Sequence, residues 1–584
     1  MSLFRDLLIE KKRKPYYCEV EYLESTGTQY IDTGFKIDDT CGYDISWMAL
    51  NANDTIIMGT KGTGDSRWVL SGNNNPNVNL SWNTSSGSTG LGLNKIQTAQ
   101  MNYLNDRERV LNGVALTDIS TTLSADASTY NVCIFGGYWG SSTVSLYSTC
   151  RIYYVKITKG LTLVRDLLPV LDWNYTPCMY DKVSGKLFYN AGTGSFTYGR
   201  EIHYVDYLES TETQYIDLGL YGNLNTEIEV KAYVPEHTTH FALVGDFTDS
   251  TKAITLPVNY GTSGLYSRFG NKSITTGLGT NEGTYKFVIN KTGYYRDDVL
   301  LGSFSTTTSF TTSSTLMLFG FTNLGRNYYA GKVYYCKVYD NGAIVGDFLP
   351  AIDENGVGFM FDRVTHTIHD NIGIGYFKYP AREVSYLETT GGSYLNTDFN
   401  PGANGGRFTF DVEIKCTPNS NGHGAIGSRS VDAGRNWVIT NIPQTPNNQV
   451  VQQFGYGNTW QNVTADSSNK WIRCRTYIDG ENYVFETMVD GLTSIEVTPL
   501  QTFTNSANVY LLNINNKGSV FSNFNFIGQM RRAKLYDNGT LVKDYKPAFK
   551  NGYFGLWDAV NDYLPTINGT GTITYGKIIE SRWF

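Results

Sequence analysis

Histidine and proline are scarce in this 584-residue chain, with six and 15 copies respectively. So few imidazoles leave little room for a metalloenzyme, whose sites commonly draw on several. Cysteine occurs at Cys18, Cys41, Cys133, Cys150, Cys178, Cys336, Cys416 and Cys474, never as a C-x-x-C pair, which argues against a zinc ribbon or a thioredoxin-like site. Free, buried thiols are the expectation; only Cys133 and Cys150 stand close enough in sequence to suggest a bridge. Charged residues make up just 17%, yet hydrophobic residues reach 41%, too many for a disordered chain. No apolar run is long enough to span a membrane. A net charge of −7 argues against a protein that coats nucleic acid. Walker loops, Gly-x-Ser-x-Gly elbows and dinucleotide fingerprints are all missing.

What is abundant is glycine (60) and tyrosine (43), the material of short strands joined by tight turns. The chain begins with a different signal. Leu3, Phe4, Leu7 and Leu8 fall on one helical face, followed by the basic run Lys11, Lys12, Arg13 and Lys14. The apolar stretch is too short for an export signal and the basic residues lie on its wrong side, so synthesis and retention in a cytoplasm are expected, or departure inside a larger particle. Residues 1–16 read as a short helical docking tail, and residues 578–584, ending on Trp583 and Phe584, as a second small tail.

Between the tails the sequence repeats. Residues 20–34 read VEYLESTGTQYIDTG, residues 205–219 VDYLESTETQYIDLG and residues 384–398 VSYLETTGGSYLNTD. Their Tyr-Leu-Glu triplets begin at Tyr22, Tyr207 and Tyr386, roughly 180 residues apart, far beyond the period of a solenoid, so each copy is a domain. Each copy also ends alike. A D-x-x-P tetrad (Asp166/Pro169, Asp347/Pro350, Asp544/Pro547) precedes an Asp that follows two large side chains (Asp181, Asp362, Asp558), and a Gly-rich segment closes the unit. Strict alternation in Phe408–Cys416, residues 226–234 and residues 43–49 predicts antiparallel strands with one face on a core. Asn112-Gly113, Asn341-Gly342, Asp490-Gly491 and Asn538-Gly539 predict hairpin turns with positive φ at both central residues. The fold class is all-β, with three sandwiches at 17–200, 201–382 and 383–577.

The opening segment at 22–34, the closing segment 337–350, the aromatic-Asp pair and the Gly-Thr-Gly ending together resemble laminin-G-like, concanavalin-A-like jelly-roll domains of tailed bacteriophages. The resemblance spans nearly the whole chain and implies three tandem antiparallel jelly-roll sandwiches. In the third copy Ser393 replaces the Gln, and Asn396 and Asp398 replace Asp and Gly.

Candidate chemistry is thin. Glucanases of this fold class place Glu-x-Asp-x-x-Glu on one strand. Glu227/Glu229 and Asp411/Glu413 begin such a set, but Ala232 and Cys416 stand where the third acid belongs, and the first copy offers only Asp44 with Ser46. The pairs His237/His240 and His366/His369 are three apart, which puts them on opposite faces of a strand, unsuited to chelation. Asp353-Glu354-Asn355-Gly356 reads as a turn rather than a calcium loop, since the later acidic ligands are missing. No enzyme, metal or cofactor is expected. The loop 135–140, with Tyr138 and Trp139, has the aromatic make-up of a glycan or subunit contact, and its counterparts hold Phe321, Asn323, Asn515 and Asn516.

The resemblance and the docking tail together imply a non-enzymatic virion surface protein, a head fibre or capsid decoration. Its expected partners are capsid or collar/portal proteins, a second or third copy of itself, and host surface glycan. Nucleic acid and membrane insertion are not expected. The alternatives are a tail-borne receptor-binding protein or depolymerase acting on host glycan, and a bacterial surface adhesin.

Overall fold

The computed structural model describes residues 14–51, 55–62, 66–73, 77–83, 85–90, 92–102, 108–116, 129–235, 241–258, 265–276, 282–305, 308–321, 329–400, 407–417, 423–429, 435–442, 449–456, 460–462, 469–500, 507–522 and 525–580. Leu3, Phe4, Leu7, Leu8, Lys11, Lys12, Arg13, His237, His240, Asn323, Trp583 and Phe584 lie outside the described residues, and with them the expected helical tail. Among the described residues the regular structure is β throughout, with no α-helix. None of it contains a helix long and apolar enough to cross a membrane.

One pairing scheme recurs three times. In the first copy Cys18–Val20 pairs with Thr162–Leu171, and Leu23–Glu24 and Cys41–Ala49 both pair with Cys150–Lys159. The second copy repeats this with Glu201–Tyr204, Leu208–Thr211 and Thr226–Val234 against Ala343–Ile352 and Ala330–Asp340. The third does so with Arg382–Glu383, Leu387–Thr389 and Phe408–Cys416 against Thr540–Lys550 and Gly528–Asp537. A second sheet faces each of these sets. In the first copy it contains Thr55–Lys61, Arg67–Asn73 and Asn77–Asn83. The core lies between the two sheets, where Tyr43, Ile45 and Trp47 of one meet Trp68, Leu70, Leu80 and Trp82 of the other, all essentially excluded from water. Tyr43 and Trp68 meet edge to face with centroids 5.0 Å apart.

The repeated motifs turn out to be fasteners. Asp181, fully buried, accepts the backbone N–H of Asp166 (2.9 Å) and of Val183 (3.1 Å) and the Ser184 hydroxyl (2.6 Å), so the closing Asp ties the D-x-x-P strand to the next turn. Asp362 does the same for Asp347, Val364 and Thr365, and Asp558 for Asp544, Val560 and Asn561. Gln29 of the opening motif accepts the Thr26 N–H (2.9 Å) and donates to Ser195 O (3.2 Å), pinning the Gly-rich end of the unit to its beginning. Gln214 bonds Thr211 and Ile374 in the same way. Where Ser393 replaces the Gln, its shorter side chain accepts only the Thr389 hydroxyl at 3.1 Å among these contacts. The hairpin expectation holds at each site: φ is +49°/+77° at Asn112/Gly113, +50°/+79° at Asn341/Gly342, +49°/+79° at Asp490/Gly491 and +47°/+80° at Asn538/Gly539.

The chain divides into two compact units, residues 1–377 with 580–584 and residues 378–579. The first two repeats share one unit because Cys18–Val20 also pairs antiparallel with Glu201–Tyr204, making one sheet continuous through both. Tyr204 donates to Glu19 (3.1 Å), and Arg200 bonds Asp353 (3.2 Å) and Asp370 (2.7 Å) within the same unit. All eight cysteines are buried and none forms a disulfide, Cys133 and Cys150 included.

Candidate functional site

The aromatic loop of the first repeat becomes a short strand, Gly137–Trp139, that runs parallel to Thr55–Lys61 with Tyr138 opposite Thr60 and Trp139 opposite Lys61. Successive strand residues point to opposite sides, so Tyr138 and Trp139 serve two different clefts. Trp139 borders a cleft of about 320 Å³ over the outer face of the second sheet, with Arg67, Ser71, Asn79 and Ser81 as its polar lining. The Lys61 ammonium sits 4.5 Å from the Trp139 ring centroid and covers one of its faces.

Tyr138 borders the larger cleft, about 440 Å³, with Tyr30, Tyr147, Val144, Thr28 and Thr193 among its walls. Tyr30 and Tyr147 lie 6.0 Å apart, and Tyr138 stacks on Tyr130 at 5.0 Å. Next to this stack the Asn131 amide donates to both Asp32 oxygens (3.0 and 3.2 Å), and the Tyr138 hydroxyl reaches Asp32 at 3.5 Å. Burial, with Cys133 and Asp32 adding to it, pushes the Tyr138 phenol up to about 12, so its hydroxyl stays a hydrogen-bond donor through the neutral range. Gly192 lets the Gly-rich segment form the far wall, because a Cβ there would stand 2.2 Å from Thr28 O. Aromatic faces and hydroxyls around one open cleft, with a carboxylate–amide pair next to Tyr138, suit a polyhydroxylated ligand, with apolar sugar faces on the rings and hydroxyls on the polar groups.

Of the other residues singled out by sequence, Phe321 is half-buried in the second repeat. In the third, Asn513–Asn516 takes the place of the aromatic strand, parallel to His423–Arg429. Asn515 is buried, its amide donating to Asn508 O and accepting from Gly518 N, both at 2.8 Å, so it holds its own turn and offers nothing outward. Asn516 is half-buried at the end of that strand. Lys14, of the proposed docking residues, lies against the chain with its ammonium 3.5 Å from Glu580. Sequence reasoning found Tyr138 but missed Tyr30, Tyr130, Tyr147 and Asp32. Tyr30 and Asp32 sit inside the opening motif and read there as strand residues.

The carboxylates considered for hydrolysis are each engaged by a neighbour. Asn290 donates to Glu227 (2.7 Å), Tyr335 to Glu229 (2.9 Å), Arg473 to both oxygens of Asp411 (2.8 and 2.7 Å) and Arg531 to Glu413 (3.0 Å). His366 is buried and held well below the ordinary imidazole range, to about 3, by desolvation first and then by Lys182, Lys156 and Arg363. His369 instead bonds Asp217 O at 2.8 Å. Asp353 accepts the N–H of Asn355 and Val357 at 2.9 Å each, closing the turn expected at 353–356.

No protein-family model matches the sequence, and no curated protein matches it. Among solved structures it is similar to domains LG4-5 of the mouse laminin α1 chain (13% identity over 58% of this chain and 92% of that one, TM-score 0.22). It is also similar to the LG1-3 region of the laminin α2 chain (8% identity, 95% and 100% coverage, TM-score 0.23) and to a structure described as NanB plus Optactamide (7%, 94% and 91%, TM-score 0.18). Likenesses at these scores carry no weight for function; the architecture rests on the strand pairings above.

Proposed function

We propose that this chain is a non-enzymatic surface protein of a bacteriophage particle, built from three tandem laminin-G-like jelly rolls and making contact with glycan through its first repeat. The observation that carries the binding part is the tyrosine-lined cleft of about 440 Å³ beside the Asp32–Asn131 pair. The opening and closing motifs, with their resemblance to phage jelly-roll proteins, support placement on a virion as a head fibre or capsid decoration. Capsid or collar proteins would hold it through residues 1–16, and dimers or trimers would present several clefts at once, raising avidity without new contacts. The alternative keeps the same cleft on a tail-borne receptor-binding protein.

A glycan array with the full chain tests the binding. Tyr138→Ala should abolish the signal, as loss of a stacking ring in a shallow site removes most of the contact, while Trp139→Ala should retain it. Loss in Trp139→Ala alone would move the site to the other cleft, and an array with no signal for the wild-type chain would overturn the reading.

A further inference from the structure

Cys18, Glu201 and His203 stand on two neighbouring strands of the first unit. The antiparallel register that sets Glu19 against Ile202 and Val20 against Glu201 brings Cys18 opposite His203. Glu201 and His203, two apart on one strand, share a face. A thiol, an imidazole and a carboxylate thus meet, with one donor atom from each within 4.8 Å of the others, and all three residues are buried.

The ring of His203 has both nitrogens in contact with carboxylates: Nε2 lies 2.9 Å from Glu201 and Nδ1 2.8 Å from Glu580. Ionised carboxylates only accept hydrogen bonds, and a neutral imidazole donates only one. One side of the ring therefore needs either a second proton or a cation. Glu580 is itself close to Lys14, at 3.5 Å. An imidazole that offers one nitrogen to a metal and donates its other N–H to a carboxylate is the usual outer arrangement of a protein metal site.

We infer that Cys18, Glu201 and His203 bind a divalent transition-metal ion of the zinc class, with Glu580 orienting the imidazole. Sulfur, nitrogen and oxygen donors in this mixture suit Zn²⁺, and three protein ligands leave one of its four positions for water. The charges balance. A dication is neutralised by the Cys18 thiolate and the Glu201 carboxylate, while Glu580 is neutralised by Lys14. Binding needs the thiolate and a ring nitrogen free of its proton, so metal loading releases protons. The ion would clamp the first strand of the first repeat to the first strand of the second. The site is independent of the glycan cleft, and no part of it is needed for that reading.

The test uses the full chain, stripped with chelator and titrated with Co²⁺ and then Zn²⁺. One ion per chain is expected, with an intense near-ultraviolet thiolate-to-cobalt band that zinc removes. Cys18→Ser should lose that band, whereas Cys150→Ser, which alters a buried thiol outside the cluster, should keep it. Glu580→Gln removes no donor and should weaken affinity by about 10–100-fold. If Cys18→Ser fails to fold, the wild-type stoichiometry and the Glu580→Gln affinity still decide. Absence of a cobalt band and of retained zinc in the wild-type chain would overturn the proposal and leave a proton-bridged ion cluster. A band that persists in folded Cys18→Ser would overturn it as well.

Discussion

Replacing Asp181 with alanine removes the fastener at the end of the first repeat, and the structure sets the size of the effect. The carboxylate is fully buried and accepts two backbone N–H groups, those of Asp166 and Val183, through one oxygen. The half-buried Asp166 N–H loses its partner at a cost of about 1–3 kcal/mol, whereas Val183 is exposed and its N–H turns to water, so a loss of about 2 kcal/mol is expected. Ser184 is exposed and turns to water, adding little. The unit that carries Asp181 has roughly 380 residues and an unfolding entropy near 0.8 kcal/mol/K, so its melting should fall by about 2–3 °C. Asp558→Ala in the smaller unit, roughly 200 residues, should lower melting by about 5 °C for a similar loss. Asp181→Asn is the informative companion, because its remaining oxygen still accepts both N–H groups; it should cost only about 1 kcal/mol. Calorimetry of the full chain measures all three. An alanine variant within 0.5 °C of wild type, or an Asn variant as damaging as Ala, would refute the reasoning that the closing Asp acts through those two backbone bonds.

Acid should act through His366. Its folded-state value, about 3, lies below the ordinary 6.5, so the unfolded chain takes up the proton first. Stability present above pH 6.5 is then lost as pH falls toward 3, by at most about 1.4 kcal/mol per unit. His366→Asn, which accepts the positive φ of +56° there, should flatten that decline in urea midpoints measured at pH 7 and pH 5; an unchanged slope would contradict the assignment. Gln214→Ala leaves the Thr211 N–H without its side-chain acceptor, while Ile374 O keeps the Thr213 hydroxyl, and should cost about 1 kcal/mol, read from the same midpoints. Immunogold labelling of particles should place the protein on heads; gold confined to tail tips would favour the receptor-binding alternative.

The β architecture was legible because its signals are local. Alternation in Thr226–Val234 marks a half-buried strand, and Asn-Gly pairs mark hairpins, since both residues must reach positive φ. The recurring Gln29 and Asp181 were visible as motifs, but their purpose was not, because each works by touching a segment distant in sequence: Gln29 reaches Ser195 from the other end of the unit. The candidate cleft was half legible. Tyr138 stood out in a glycine-rich loop, whereas Tyr30 and Tyr147, distant in sequence, line the cleft with it and Tyr130 stacks on it only in the folded chain. Asn515 looked like a ligand by analogy of position and is instead part of its own turn. The Cys18–His203 meeting was hidden more deeply. Both residues stand four places before the Tyr of their copy's opening motif, so equivalent strands of two repeats lie side by side, a pairing that neither copy encodes alone.

Incubating the full chain with purified host surface polysaccharide, and following bound polysaccharide and free reducing ends in the same sample, tests the central claim most directly. Retention of polysaccharide by the wild-type chain, its loss in Tyr138→Ala, and reducing ends constant over time are the expected results. Reducing ends that rise with time, and stop rising when Glu227, Glu229, Asp411 or Glu413 is replaced, would contradict the claim that this protein binds glycan without cutting it.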